Sequence, residues 1–334
     1  MVIEMKKFLK LICLIVSLLL ILAGCQHSSS AGDDKKIVIW TAGNDDTNEY
    51  YLRECQKKFP DYDIVVEYMN TSSIAAKVVE EGEDCSCDII VQEEYAYLQK
   101  CEPYLMELEN IDFSVFLDEL VPESHKYVPE EKSSGCVIVA PKILEEHGLA
   151  VPTCYQDLLD PKYKGLISMP SPLSSSTGYM FLRQLTNTWG EDKAFEYFEK
   201  FSENVLQYTS SGSGALTMLE QGETAIALGM VSQSVTEINK GAELKILFFD
   251  EGAPYGLYGG AVLKNSADRE CVMEVFDFIV TDLFKGNNEQ FFPDQIFKDF
   301  VPRIEGYPDN IPFGDMSNDT LEEKERLQAK WNFN

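Results

Sequence analysis

Short β-branched runs separated by stretches of helical periodicity constrain this chain more than any other feature. Ile37, Val38, Ile39 and Trp40 form a brief apolar run closed by Thr41, Ala42, Gly43 and Asn44, which reads as a buried strand and its turn. A helical pattern follows from about Asn48 to Phe59 and stops before Pro60. Ile64–Tyr68 and Asp88–Val91 repeat the strand signature, with an amphipathic helix between them that starts after Asn70 and carries Ile74, Ala75 and Val78. After a charged, polar stretch at Glu130–Ser134 the alternation resumes. Strands are expected at Cys136–Ala140, Leu166–Met169, Ala225–Met230 and Leu244–Phe249, and helices at Lys142–His147, from Ser174–Gly178 through Leu185, at Trp189–Lys200 and at Arg269–Phe284. Strands and helices in turn predict an α/β fold around a largely parallel sheet.

The alternation falls into two blocks, which places residues 37–135 in a first lobe, 136–258 in a second, and 259–334 in a return to the first with C-terminal helices. A chain that leaves one α/β body, builds another and comes back leaves a hinge and a cleft between them, and such clefts are preferred ligand sites.

The N-terminus carries Lys6, Lys7 and Lys10 ahead of the apolar run Leu11–Leu22, a signal-peptide pattern too short for a membrane span. Leu22, Ala23, Gly24 and Cys25 resemble the bacterial lipobox. The resemblance implies removal of residues 1–24, acylation of Cys25, and a polar tether over residues 25–36 that holds an extracytoplasmic protein at the cell membrane. The balance of 28 basic against 56 acidic residues gives a net charge of -28, which repels phosphate backbones and argues against a nucleic-acid partner. Beyond Cys13 and Cys25 the cysteines are Cys55, Cys85, Cys87, Cys101, Cys136, Cys154 and Cys271. Only Cys85 and Cys87 are closely spaced, as CxC rather than CxxC, which favours buried thiols over a metal site and leaves any pairing open.

No GxSxG, HExxH or P-loop pattern is present, and the three histidines are His27 on the tether, His125 and His147. Neither an enzyme nor a cofactor or metal is expected; a secreted hydrolase is the remote alternative.

The run from Tyr155 to Pro170, which contains Asp157-Leu158-Leu159-Asp160-Pro161-Lys162-Tyr163-Lys164-Gly165, is similar to a segment of one group of extracellular solute-binding proteins. Ser174-Ser175-Ser176-Thr177-Gly178-Tyr179, and Ser211-Gly212-Ser213-Gly214 followed by Gln221-Gly222-Glu223, resemble two further motifs of that group in the same order. The group serves ABC importers and includes ferric-iron, phosphonate, sugar-phosphate and polyamine binders. The resemblance implies a two-lobed type II periplasmic-binding-protein fold that closes on a small solute and hands it to a permease with its ATPase, as a monomer. Presentation of the closed form to a sensory receptor is an alternative use of the same fold.

Hydroxyls beside the free amides of a helix start hold anions well. Ser174, Ser175, Ser176, Thr177 and Gly178 are therefore expected at the solute, with Thr71, Ser72 and Ser73 closing from the first lobe and Ser211 and Ser213 adding a third turn. Thr41 and Tyr255 are further candidates, and Glu93 or Glu251 would take an amino group. A phosphonate or phosphate ester is favoured. Ferric-iron binders of the group use adjacent tyrosines in the second lobe, where this chain has Met230, Val231, Ser232 and Gln233, so iron and polyamine stand as alternatives.

Overall fold

Period-two burial inside single strands gives each half of one sheet two cores. The computed structural model describes residues 35–333, so the leader, the lipobox and Cys25 lie outside the described residues. The first elements are β1 (Lys36–Thr41), α1 (Asp45–Lys58), β2 (Asp63–Tyr68), α2 (Thr71–Glu81), β3 (Ile89–Glu94) and α3 (Tyr95–Cys101). Then come β4 (Val128–Val139), α4 (Pro141–Glu146), β5 (Ile167–Pro170), α5 (Ser176–Trp189), α6 (Glu191–Ser202), β6 (Val205–Thr209), α7 (Gly214–Glu220) and β7 (Ile226–Met230). The chain closes with α8 (Val231–Asn239), β8 (Lys245–Leu247), β9 (Tyr255–Val262), α9 (Glu270–Phe278), a π turn at Ile279–Leu283, α10 (Phe284–Gln290) and α11 (Leu321–Lys330).

The strands run in the order β2-β1-β3-β9-β4-β7-β5-β6, with β8 beside β4. In the first half Ile37, Ile39, Ile89 and Val91 face one core with α1 and α9, while Trp40 and Ile90 face another with Ile74, Val78 and Leu98. In the second half Val137 and Val139 pack against α5 and α6, and Cys136 and Ile138 against α7 and α8. Successive side chains of a strand point to opposite faces, so these all-apolar runs require helices on both sides.

The sheet is more mixed than the alternation predicts. Pairs β1–β3, β5–β6 and β5–β7 are parallel, but β3–β9, β4–β9, β4–β7 and β4–β8 are antiparallel. The cause is β4, whose residues 128–134 pair with β9 and whose residues 135–139 pair with β7 and β8. The polar stretch Glu130–Ser134, which reads as a link in the sequence, is thus the first half of a twelve-residue strand. Its carboxylates are buried against side-chain partners rather than solvated, which periodicity does not register. The seven cysteines among the described residues carry free thiols.

The C-terminal helix α11 is held by charge as well as by apolar contact. Lys324 is fully buried, pairs with Glu94 at the end of β3, and lies 3.9 Å from the ring centre of Tyr97 and 4.5 Å from that of Tyr179. Beside it, buried Arg183 of α5 pairs with Asp319, and Gln328 donates to the Tyr97 hydroxyl and to the Pro172 carbonyl. Removing one partner of a buried ion pair leaves an uncompensated charge. Lys324→Ala should therefore lower unfolding free energy by about 3–5 kcal/mol in urea titrations, and Glu94→Gln combined with Lys324→Met should recover much of it. A loss within the scatter of the method would show that the pair does not hold α11 in place.

Candidate functional site

Two helix starts on the second half of the sheet open into one cleft without side-chain caps. Ser175 is the extended N-cap of α5, yet its hydroxyl caps no amide. The first amide given to a preceding carbonyl is that of Tyr179, to Ser175 at 3.0 Å, which leaves the amides of Ser176, Thr177 and Gly178 for a guest. Gly178 lets α5 start this close to β5, because a Cβ there would overlap the Pro170 carbonyl. The start of α8 is also uncapped. Ser232 and Gln233 in its first turn are buried, and the Ser232 hydroxyl and the Gln233 side-chain oxygen have no partner. Buried polar atoms are nearly always paired, so two orphans on one cavity wall mark a place where a ligand completes the bonding.

The opposite wall comes from the first half. There Asn44 and Asn70 cap α1 and α2 through their own side chains, accepting from Thr47 at 3.0 Å and Ser73 at 2.9 Å. The two walls touch where Ser176 donates to the Thr71 hydroxyl at 2.9 Å and Ser72 to the Ser174 carbonyl at 3.4 Å. Between them lie two adjoining cavities. The wider, about 330 Å³, is lined by Asn44, Tyr68, Ser211, Ser213, Ser232 and Gln233 among others. The deeper, about 50 Å³, reaches Thr71, Gln92, Glu131, Ser175, Ser176 and Thr177. Among the described residues no lysine or arginine lines either.

The floor is set by two facing irregularities. The β3–β9 register shifts between Ile90 and Glu93, and the β4–β9 register between Pro129 and Glu131. Gln92 sits in the first at φ 54°, a conformation costly for a side-chain-bearing residue and concentrated at functional sites. Its amide donates to Glu130 at 2.6 Å, its side-chain nitrogen donates to Glu131 at 3.0 Å, and its side-chain oxygen accepts from Thr47 and Thr41. Bulges re-aim side chains in this way beside binding sites. Burial pushes the Glu130 carboxyl up to about 7 and that of Glu131 up to about 8, the latter aided by the charge of Glu130.

Of the residues singled out in the sequence, Thr71, Ser175, Ser176, Thr177, Ser211 and Ser213 come together on the cleft. Gly178 serves α5 packing, and Ser174 donates to the Ser210 carbonyl at its edge. Ser72 and Ser73 belong to the α2 cap, with Ser73 exposed. Thr41 stands behind Gln92, holding it and the Gly43 amide. Glu93 is fully buried away from the cleft with one oxygen unpaired, and burial holds its carboxyl well above the usual range. Glu251 lies beside Gln184, which donates to its carbonyl, and Tyr255 packs on Lys132 and Phe313. Tyr258, which like Tyr255 falls at the return crossing expected from the sequence, does line the cleft; Asn44, Tyr68, Gln92, Glu131 and Gln233 line it without having been singled out. The sequence signal for Gln233 was its position where ferric binders carry tyrosine. Gln92 and Glu131 had none, since bulges leave no mark in the hydrophobic pattern.

Both raised carboxyls bind protons more tightly in the folded chain than at the ordinary value near about 4.3. Their contribution to stability is complete below that value and is lost as pH rises through about 7 to about 8. The difference in unfolding free energy between wild type and Glu131→Gln should therefore move in the variant's favour from about pH 5 to about pH 8. A difference that stays flat would mean that Glu131 is ionised throughout.

Residues 108–287 match the family model for bacterial extracellular solute-binding proteins. An uncharacterized protein of Haemophilus influenzae is 29% identical over 275 residues, covering 76% of this chain and 75% of that one. A protein of Salmonella typhi named as a 2-aminoethylphosphonate-binding periplasmic protein is 23% identical over 139 residues, 41% of this chain and 40% of its own length. Among solved structures, the periplasmic binding protein AfuA from Actinobacillus pleuropneumoniae, with exogenous fructose-6-phosphate bound, superposes with a TM-score of 0.79 at 22% identity, covering 89% of this chain and 97% of AfuA. That likeness carries the two-lobed type II fold. With more than half of its length inside the family model, the chain belongs to the bacterial extracellular solute-binding proteins, of the ABC-importer type.

Proposed function

We propose that the cleft captures a small solute bearing an anionic group, a phosphonate or phosphate ester, and that lobe closure presents it to an ABC permease and its ATPase. The observation that carries this reading is the pair of uncapped helix starts on two adjoining cavities, α5 on the one of about 50 Å³ and α8 on the one of about 330 Å³, with unpartnered Ser232 and Gln233 in the wall of the latter. Amides at a helix start favour negative charge without a cationic side chain, and in a cleft without lysine or arginine they are the groups that would hold it. The phosphonate and sugar-phosphate names attached to relatives support the same class.

The hinge in this reading lies where β4 exchanges β9 for β7; Tyr255–Tyr258, expected in the second lobe, pair with the first half of β4, and Met316, Leu327 and Trp331, expected with the first lobe, pack into the core of the second half with α5 and α6. The protein acts by binding rather than turnover, as a monomer tethered to the extracytoplasmic face of the cell membrane through acylated Cys25.

The test removes one amide without removing the helix, and Ser176→Ala serves as the control for the hydroxyl that donates to Thr71. Ser176 is the first residue of α5, where proline is tolerated, and Ser175 ahead of it is already extended, as a residue before proline should be. Ser176→Pro should lower affinity for phosphonates or phosphate esters by roughly tenfold or more while circular dichroism stays unchanged. On wild type, ligand at about a hundred times its dissociation constant should raise stability by roughly 2.7 kcal/mol in a thermal-shift panel of phosphonates, sugar phosphates, polyamines and ferric citrate. A response confined to iron or polyamine would overturn the anion reading.

A further inference from the structure

The charge of the cleft is unbalanced in a way that a purely anionic guest does not remedy. Its wide mouth is lined by Asp45, Asp46, Glu220 and Glu237 and its deep end by Glu131; Lys240 beside the mouth pairs with Asp46 at 3.4 Å and Glu237 at 2.9 Å, which leaves the acidic groups in excess. Most of these carboxylates stand near solvent, where their influence on a guest is screened. Glu131 does not. It is 5% exposed and lies within the small deep cavity that also touches the start of α5.

Its two oxygens differ. Oε2 accepts from the Gln92 side chain at 3.0 Å and from Asn287 at 3.4 Å, whereas Oε1 accepts from no group among the described residues. Neighbouring Glu130 is the opposite case: Oε1 accepts from the Tyr51 hydroxyl at 2.5 Å and Oε2 from the Gln92 amide at 2.6 Å, so both its oxygens are engaged by the fold. Of two adjacent buried carboxyls, one is structural and the other keeps an acceptor for something that enters the cleft.

We propose that Glu131 is the specificity-determining group of this site and accepts a hydrogen-bonded ammonium group of the solute, across the cleft from the anion held by the α5 and α8 starts. The proposal rests on the cleft being the solute site described above and narrows its guest to a zwitterion. The deep cavity of about 50 Å³ adjoins the wider one and has room for a terminal ammonium. Burial and Glu130, with Asp294 nearby, disfavour the ionised form of Glu131 in the empty cleft, and an ammonium partner restores it by direct pairing. The neutral acid therefore gives up a proton as the cation arrives.

The test is calorimetric titration of the full chain in detergent with three probes: ethylphosphonate, 2-aminoethylphosphonate and putrescine. Wild type should bind 2-aminoethylphosphonate roughly tenfold or more tightly than ethylphosphonate. Glu131→Gln keeps an oxygen for Gln92 and Asn287 while turning an amide toward the guest; it should abolish that preference by weakening 2-aminoethylphosphonate much more than ethylphosphonate. Equal affinity of the two phosphonates for wild type, or equal weakening of both by the substitution, would overturn the proposal, and the wild-type comparison holds even if the variant folds poorly. If neither phosphonate binds, the anion reading fails by itself. Glu131 then retains its role only if wild type binds putrescine and the variant does not; putrescine binding that survives the substitution, or no binding at all, overturns both.

Discussion

A single strand that must satisfy backbone partners on both edges along two different half-sheets governs this molecule. β4 is twelve residues long, and its neighbours change between Ser134 and Gly135. Buried peptide groups cannot go unpaired without a cost comparable to a lost hydrogen bond, so the exchange of β9 for β7 fixes where one half of the sheet ends and the other begins. The return strand β9 pairs with β3 and with the first part of β4, tying the same crossing from the other direction. Everything in the cleft is placed relative to these two strands: the bulges under Gln92 and Glu131 lie on one side of the crossing, the starts of α5 and α8 on the other.

In the proposed reading, anion recognition by a chain of net charge -28 needs positive potential that does not come from side chains. Backbone amides at helix starts supply it locally and fall off within a turn, so the excess of acidic residues elsewhere does not cancel them at contact distance. The asymmetry of the two walls follows. The Asn44 and Asn70 side chains each take one first-turn amide, of α1 and α2, on one side, while Ser175 and Met230 cap none of those of α5 and α8 on the other. In the zwitterion reading the capped wall, with Glu131 below it, faces the cation, and the uncapped wall faces the anion.

Behind the cleft, α5 does a second job. Its N-terminal turn lines the cavity, and its next turns carry Tyr179 and Arg183 into the buried charge cluster with Lys324, Glu94 and Asp319. A rigid helix whose one end lines the cavity and whose middle is locked to β3 and α11 transmits little slack, which in the proposed reading preorganises the free amides for binding. Burying those ions is expensive and their net contribution to stability is modest; their effect is to specify one seating of α11 against α3 and α5.

The amino-acid sequence by itself determined the α/β class, the order of nearly all strands and helices, and the Ser-rich turns at 174–178 and 211–213. These are local signals, since period, capping residues and turn chemistry act over a few positions. The family resemblance, carried by those same motifs, anticipated the two-lobed fold. Tertiary structure alone decided that Glu130–Ser134 is strand, that Thr71, Ser176 and Ser213 share a cavity while Glu93, Glu251 and Tyr255 stay off it, and that Gln92 and Glu131 form its floor. The reason is that a side chain's direction at a bulge or crossing depends on the partner strand's register, set by residues more than a hundred positions away. Hydroxyls that look alike in sequence become caps, packing groups or ligand contacts only when the opposite wall arrives.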